Sequence, residues 1–356
     1  MKSLSHYFLI LIFSISNFVK AQVTDVVTGL QGPTGIALNG NDLFISDDDV
    51  IRKLDITDPT PIAIDFISNL EGPYGLLING TDIMVAESTQ NRIFKVDLTS
   101  SNPVQIDIVT DLVDSEGLNT GPVGLALGGN DLYIAQFDGN KISKIDITDS
   151  NPVPVEVITD LGGPVQLILE GNDLYISEAD SNKISKIDIT DSNPTTIDVV
   201  TGLNLPVGML LEGNELYIAE VGANRISKVT ITDTNPTPTD FITGLNGPVN
   251  VVKNGNDFYI SELNGLKISK YTDTPLGINE LNTVKEKLAF YPNPAKNVIN
   301  FSGLSQSKEI EIYSPLGKKV MSGTVNNNDQ LKINHLAKGL YFLKSKTSYT
   351  TKLIKK

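Results

Sequence analysis

GPVGLALGGNDLYIAQFDGNKISKIDITDSNP, residues 121–152, returns nearly unchanged as GPVQLILEGNDLYISEADSNKISKIDITDSNP at residues 163–194. Looser copies begin at Gly32, Gly72, Leu205 and Gly247. The prolines that anchor the six copies, Pro33, Pro73, Pro122, Pro164, Pro206 and Pro248, are spaced by 40, 49, 42, 42 and 42 residues. Repetition with a period of about 40–45 residues and several short strands per unit is the signature of a β-propeller.

Each copy holds four strand-sized runs, which in the third copy are GLALG, DLYIAQ, KISKIDI and VPVEVIT. The first two meet at an Asn/Gly turn such as NGND (Asn39–Asp42), a strong hairpin signal in which both central residues are expected at positive φ. The last two meet at DITDSNP, where Asp, Asn and Pro supply turn chemistry and end the pairing. The sixth copy has three strands and leaves the pattern at Asp273. At the other end of the chain VTDVVTGL (Val23–Leu30) is a lone fourth-strand phrase that matches IDVVTGL at Ile197–Leu203. That spare strand is expected to complete the sixth blade and remove an open sheet edge. The fold class expected is therefore all-β, a six-bladed propeller closed by its N-terminal strand and followed by a small C-terminal β-sandwich.

Four segments follow from the composition. Residues 1–21 read as a signal peptide: Lys2, the apolar run Tyr7–Phe18, then Val19 and Ala21 as the small residues before a cut. The run is too short for a membrane span, which needs about 20 apolar residues, and the mature chain is expected to have no transmembrane segment. Residues 22–273 form the propeller, 274–288 a polar linker and 289–356 a distinct module. Charge divides along the same lines. Residues 22–288 hold 15 Lys/Arg and 39 Asp/Glu, a net of −24, whereas residues 289–356 hold 11 Lys and 3 Asp/Glu, a net of +8. A field that negative repels phosphate backbones, so nucleic acid is not an expected partner.

The phrase LYISEADSNKISKID at residues 174–188, with its aliphatic–small–acidic triplet followed by Asn–Lys–Ile, resembles the NHL repeat. The resemblance extends over Gln22–Asp273, and the absence of tryptophan separates the chain from YWTD-type repeats. It implies a six-bladed propeller and no particular function, because such folds serve as receptors, scaffolds and enzymes.

The vocabulary changes after residue 288. Tyr291-Pro292-Asn293-Pro294 is followed by Tyr313 with Leu316-Gly317-Lys318, then Leu336 with Gly339-Leu340-Tyr341, then the basic end TKLIKK. This order of motifs is similar to the type A sorting domain of the type IX secretion system of Bacteroidota. The alternation in IEIY and YFLK, with Gly and Asn turns between the runs, fits a small antiparallel sandwich. The resemblance implies the type IX machinery as a partner, and passage through the periplasm and outer membrane to a secreted or cell-surface location.

Chemistry is limited by what the propeller lacks. The chain has no cysteine, and its two histidines, His6 and His335, both lie outside residues 22–273. Ser–His–Asp and Cys–His catalysis and the usual zinc sites are thereby excluded from the propeller. Carboxylate chemistry remains, with calcium the one cofactor to consider and no other expected. The residues ending each second strand, Asp47, Glu87, Gln136, Glu178, Glu220 and Glu262, recur six-fold and so read as structural. Arg92, Lys141, Lys183, Arg225 and Lys267 stand five positions on, placed to form exposed pairs of small energetic worth.

Departures from the repeat carry more information than the repeat. Gln166 and Asn250 replace the second glycine of GPxG, Glu71 and Tyr74 flank Pro73, and a lead-in loop longer by about seven residues adds Asp114 and Glu116. Glu71 within EGP is similar to the metal-binding Glu of gluconolactonase-like propellers. These six, Glu71, Tyr74, Asp114, Glu116, Gln166 and Asn250, are the candidate ligand-binding set, expected on the channel face where blades begin. The expected function is an exported binding or adhesion propeller for an extracellular glycan or protein, with no catalytic residue assigned. The alternative is a carboxylate- or calcium-dependent hydrolase or lactonase.

Overall fold

The structure, a computed structural model, describes residues 23–113, 120–273, 289–302, 304, 307–315, 317–345 and 348–356. The signal-peptide residues, Asp114, Glu116, Leu316 and the linker lie outside these. The chain divides into two compact units, residues 1–274 and 275–356.

In the first unit the four runs of each repeat pair as antiparallel neighbours in chain order. Sheet one is Pro33–Asn39, Asp42–Asp47, Val50–Asp55 and Ile64–Ile67, and sheets two to five repeat it. Sheet six orders Thr24–Thr28, Lys267–Thr272, Asp257–Glu262 and Pro248–Asn254, so the N-terminal strand supplies the fourth, outermost position. Thr24 stands opposite Lys270 and Thr28 opposite Lys267. Lys267 Nζ reaches Asp25 at 2.6 Å, and that bond raises the lysine pKa against the opposing effect of burial.

The hairpin loops differ from expectation in one respect. Between the first two strands of sheet one lie Gly40 and Asn41, and Gly40 alone takes positive φ (61°). Glycine first in a two-residue loop is the type II′ solution, which supplies the same right-handed twist as the expected type with one unusual residue instead of two.

First strands of successive sheets touch, and that of sheet six touches that of sheet one, so the six sheets close into a ring. Hydrophobic layers fill the space between neighbours. Leu43, Ile45 and Leu54 of sheet one pack with Tyr259 and Ile268 of sheet six, and Phe44 and Ile51 pack with Ile83 and Phe94 of sheet two. Burying such side chains contributes about 1.5–3 kcal/mol each, which explains why short strands with no disulfide hold. Near the axis the approach is too close for side chains: a Cβ on Gly75 would stand 2.1 Å from the Val123 carbonyl oxygen. Serines of second strands stitch the ring. Ser46 Oγ donates to Tyr74 O at 2.9 Å, Ser177 to Val207 O at 2.7 Å, and Ser261 to Thr34 O at 2.6 Å, the last joining sheet six to sheet one.

The second unit has a three-stranded sheet (Ala289–Tyr291, Val298–Ser302, Gln330–Lys332) and a four-stranded one ordered Lys319–Val325, Lys308–Tyr313, Gly339–Ser345 and Ser348–Lys355. Ile299, Phe301 and Ile333 from one side and Ile310, Ile312, Leu343 and Leu353 from the other make a single core.

Candidate functional site

Every first strand is preceded by a lead-in loop, and the six loops share an end of the ring with the turns between second and third strands. Two devices hold the lead-in loops. The first is the residue ending each second strand. Asp47, Glu87, Gln136, Glu178, Glu220 and Glu262 are 0–2 % exposed, so the expectation of exposed ion pairs is corrected. Their carboxylates accept backbone N–H groups of the lead-in loop: Asp47 from Gln31 and Gly32 at 2.7 Å, Glu87 from Glu71 at 2.6 Å, and Glu178 from Gly162 at 2.9 Å. Glu220 accepts from Asn204 at 2.9 Å and Glu262 from Asn246 at 2.6 Å.

Basic side chains close the other side, tightly where they are arginine. Arg52 reaches Asp47 at 2.6 Å, Arg92 reaches Glu87 at 2.5 Å and Arg225 reaches Glu220 at 2.8 Å. Lys183 and Lys267 stand off their acids at 3.6 Å. In those two sheets a serine takes the bond instead, Ser185 on Glu178 at 2.5 Å and Ser269 on Glu262. Sheet five shows the trade from the opposite side: Arg225 occupies both Glu220 oxygens, and Ser227 Oγ is left as the one buried side-chain polar atom without a partner among the described residues. In sheet three Gln136 stands in for the acid, donating to Thr120 Oγ1 at 2.5 Å and accepting from Ser143 at 2.6 Å. Lys141 pairs with Glu156 of the fourth strand at 2.7 Å, as Lys183 does with Asp198.

The second device was not assigned from sequence. Asn91, Asn140, Asn182 and Asn224 end the turns after second strands at left-handed φ of 49–53°. Asparagine tolerates that backbone, and its side-chain oxygen then accepts from the lead-in loop of the next sheet. The acceptances are Gly121 N on Asn91 at 3.2 Å, Gly163 N on Asn140 at 3.0 Å, Leu205 N on Asn182 at 2.8 Å and Gly247 N on Asn224 at 2.8 Å. The recurrence of Asn before Lys/Arg–Ile was the available signal.

Of the candidate ligand set, the structure brings Tyr74, Gln166 and Asn250 together around a narrow axial cavity of about 30 Å³, lined also by Val123, Val165, Val207 and Val249. That volume holds about one water. The Gln166 side-chain oxygen accepts from Met209 N, and that of Asn250 accepts from Val251 N at 2.7 Å. Burial pushes the Tyr74 hydroxyl up to about 12. Glu71 does not line this cavity: it is exposed in the lead-in loop, and Tyr74 is the residue its sheet sends to the axis. Asp114 and Glu116 lie outside the described residues.

A calcium ion needs several oxygen donors aimed at one point. Among the described residues no group of three or more Asp, Glu, His or Cys is placed to hold a metal ion, and the amide oxygens of Gln166 and Asn250 are already engaged. Tyr74, Gln166 and Asn250, the members of the set placed around the axial cavity, bring no carboxylate to it. The DITDSNP turns are Asx turns: Asp146 Oδ1 accepts Thr148 N at 2.8 Å and Thr148 Oγ1 at 2.6 Å, and Asp188 does the same with Thr190. Those hydroxyl and amide bonds hold both aspartates below the usual carboxylate range.

Ring closure, repeated four-stranded sheets and a lead-in face define the first unit as a β-propeller, and solved structures agree. It is similar to a catalytically inactive histidine-to-alanine variant of virginiamycin B lyase from Staphylococcus aureus with quinupristin: TM-score 0.51 at 19 % identity, covering 80 % of this chain and 95 % of that one. A luciferin-regenerating enzyme aligns with TM-score 0.57 at 11 % identity over 72 % and 96 % of the two chains. An auxiliary nutrient binding protein from Bacteroides ovatus aligns with TM-score 0.58 at 14 % identity over 70 % and 76 %. At these identities the likeness shows the fold alone. No curated protein matches the chain in sequence. Residues 289–356 match the secretion system C-terminal sorting domain family. The chain is thus a propeller carrying a type IX sorting tail, exported to the cell surface or the extracellular space.

Proposed function

We propose that the protein is a six-bladed binding or adhesion propeller, made with a signal peptide over residues 1–21 and delivered by type IX secretion, whose ligand is an extracellular glycan or protein. The observation that carries this reading is the sorting tail at residues 289–356 joined to a propeller whose axial cavity is only about 30 Å³. The axial cavity holds about one water, and the lead-in face around it is the surface proposed for contact. The residues proposed for it are Glu71, Tyr74, Asp114, Glu116, Gln166 and Asn250, with the exposed Glu71 as the direct contact and Tyr74, Gln166 and Asn250 as the floor. The fold relation to a nutrient binding protein is in keeping with such a role.

The second reading, a hydrolase or lactonase, needs two or three acids converging in one pocket. A histidine-dependent route like that implied for the lyase neighbour, whose histidine-to-alanine variant is inactive, is closed to residues 22–273, which contain no histidine. Glycan-array and extracellular-protein binding screens on the exported chain, repeated with Glu71→Ala, test the proposal. Binding that Glu71→Ala weakens supports it. Lactone or ester turnover by the wild-type chain that Glu71→Ala abolishes would replace it with the second reading.

A further inference from the structure

The propeller carries two larger cavities at equivalent places in its repeat. One, of about 770 Å³, lies between the outermost strand of sheet six, Thr24–Thr28, and the turn at residues 56–62 of sheet one. The other, of about 580 Å³, lies between the outermost strand of sheet four, Ile197–Thr201, and the turn at residues 233–238 of sheet five. Both volumes fall within the range of about 300–1,000 Å³ usual for ligand pockets. The strands bring the same phrase to each, DVVT at residues 25–28 and 198–201, and each facing turn holds one aspartate and two prolines. No lead-in residue lines either groove.

At the floor stand Tyr259 and Tyr175, 3 % and 5 % exposed, whose hydroxyls open onto the groove without a hydrogen-bond partner among the described residues. Burial holds both hydroxyls above the usual tyrosine range, so they remain protonated donors. Packing does not require them. Phe44 and Met84 occupy the same register position in sheets one and two and are as deeply buried. The strand beside each tyrosine is last in its sheet, and its backbone makes no bond outside that sheet among the described residues. Such an edge leaves alternate N–H and C=O groups free to pair with another chain. Charge along the grooves is mostly taken up within the sheets: Asp25 by Lys267 at 2.6 Å, Asp198 by Lys183 and Lys186 by Asp173, both at 2.7 Å, and Lys270 by Asp257 at 3.5 Å. On the turns, Asp58 accepts Thr60 N at 2.9 Å, and Asp233 is exposed. Neither tyrosine offers a ring face on which a sugar could stack, since both rings are buried and Lys186 lies 5.8 Å over that of Tyr175.

We infer that these two grooves bind extended peptide segments of a partner protein, with the segment's main chain on the free strand edge and an uncharged polar side chain turned in toward the hydroxyl of Tyr259 or Tyr175. Main-chain pairing on a sheet edge supplies affinity, and the pocket that receives alternate side chains supplies selection. Serine, threonine, asparagine and glutamine provide the acceptor oxygen that the buried hydroxyl lacks, and they bring no charge that the groove would have to neutralise.

The test selects peptides from a displayed random library on the purified full chain, then titrates the synthesised winners by calorimetry. Peptides poor in charged residues are expected, binding at two sites per chain. Tyr175→Phe with Tyr259→Phe keeps the rings and removes the hydroxyls, and should weaken binding about threefold to tenfold, the worth of one hydrogen bond. Ile62→Trp should fill the first groove and lower the stoichiometry to one, and adding Thr237→Trp should abolish binding. The control, Val104→Trp, sits at the equivalent turn position beside sheet one, whose floor is Phe44, and should change nothing. All three tryptophan sites are exposed, so each variant should melt with the wild type. N-methylation of alternate peptide residues should abolish binding in one register and spare it in the other. Failure to select any peptide would overturn the inference, as would binding untouched by the Tyr175/Tyr259 and Ile62/Thr237 variants, or lost equally in the control. Dimerisation of the chain that Ile62→Trp with Thr237→Trp disrupts would assign the grooves to a second copy instead.

Discussion

Glu178→Ala tests the claim that buried carboxylates hold the lead-in loops through backbone and hydroxyl bonds rather than through ion pairs. Glu178 is 2 % exposed and accepts from Gly162 N at 2.9 Å and Ser185 Oγ at 2.5 Å. Truncation leaves two donors without an acceptor, one of them the fully buried Ser185 hydroxyl. A buried group left unsatisfied costs about 1–3 kcal/mol, so the pair together should cost about 3 kcal/mol once partial rehydration of the Gly162 amide is allowed for. For a domain of this size that lowers Tm by about 6–12 °C. The comparison is Lys183→Ala. Its Nζ stands 3.6 Å from Glu178 and pairs at 2.7 Å with the exposed Asp198, so the variant gives up only partly exposed ion pairs and should lose under about 1 kcal/mol. Calorimetry and urea unfolding of the two variants provide the measurement. Equal destabilisation by the two would refute the reasoning, because the ion pair would then dominate.

Deleting residues 23–30 should open the edge of Lys267–Thr272, lower the melting temperature and raise light scattering; an unchanged melt would reject the closing role of the N-terminal strand. Gly75→Ala should cost about 2–3 kcal/mol, because its Cβ meets the Val123 carbonyl, and a stability within error of wild type would show that the ring can relax there. Asp55, Asp97, Asp146 and Asp188 are each held below the ordinary carboxylate range by a threonine hydroxyl and amide two residues on. Their turns should therefore contribute fully above the unfolded carboxylate pKa of about 4 and lose that contribution as pH falls through the lower folded values. Carboxyl-carbon NMR titration checks this, and midpoints at the unperturbed value would contradict it.

The period, the strand count and the N-terminal closing strand were legible in the sequence because they follow from local rules. Alternation, Gly-containing two-residue loops and Asp/Thr turns act over a few residues, and a spare fourth-strand phrase at Val23–Leu30 has only one place to pair. The sorting tail was legible for the same reason, as ordered motifs in Tyr291–Pro294, around Gly317 and at Gly339. Tertiary structure decided what those residues meet. Glu178 and its equivalents look like exposed hairpin acids along the chain, but they are buried because the lead-in loop sixteen residues upstream folds over them. Gln166 and Asn250 reach the axis with Tyr74, whereas Glu71 remains outside: packing of six first strands leaves room at the axis for about one water, and only side chains on those strands can enter it.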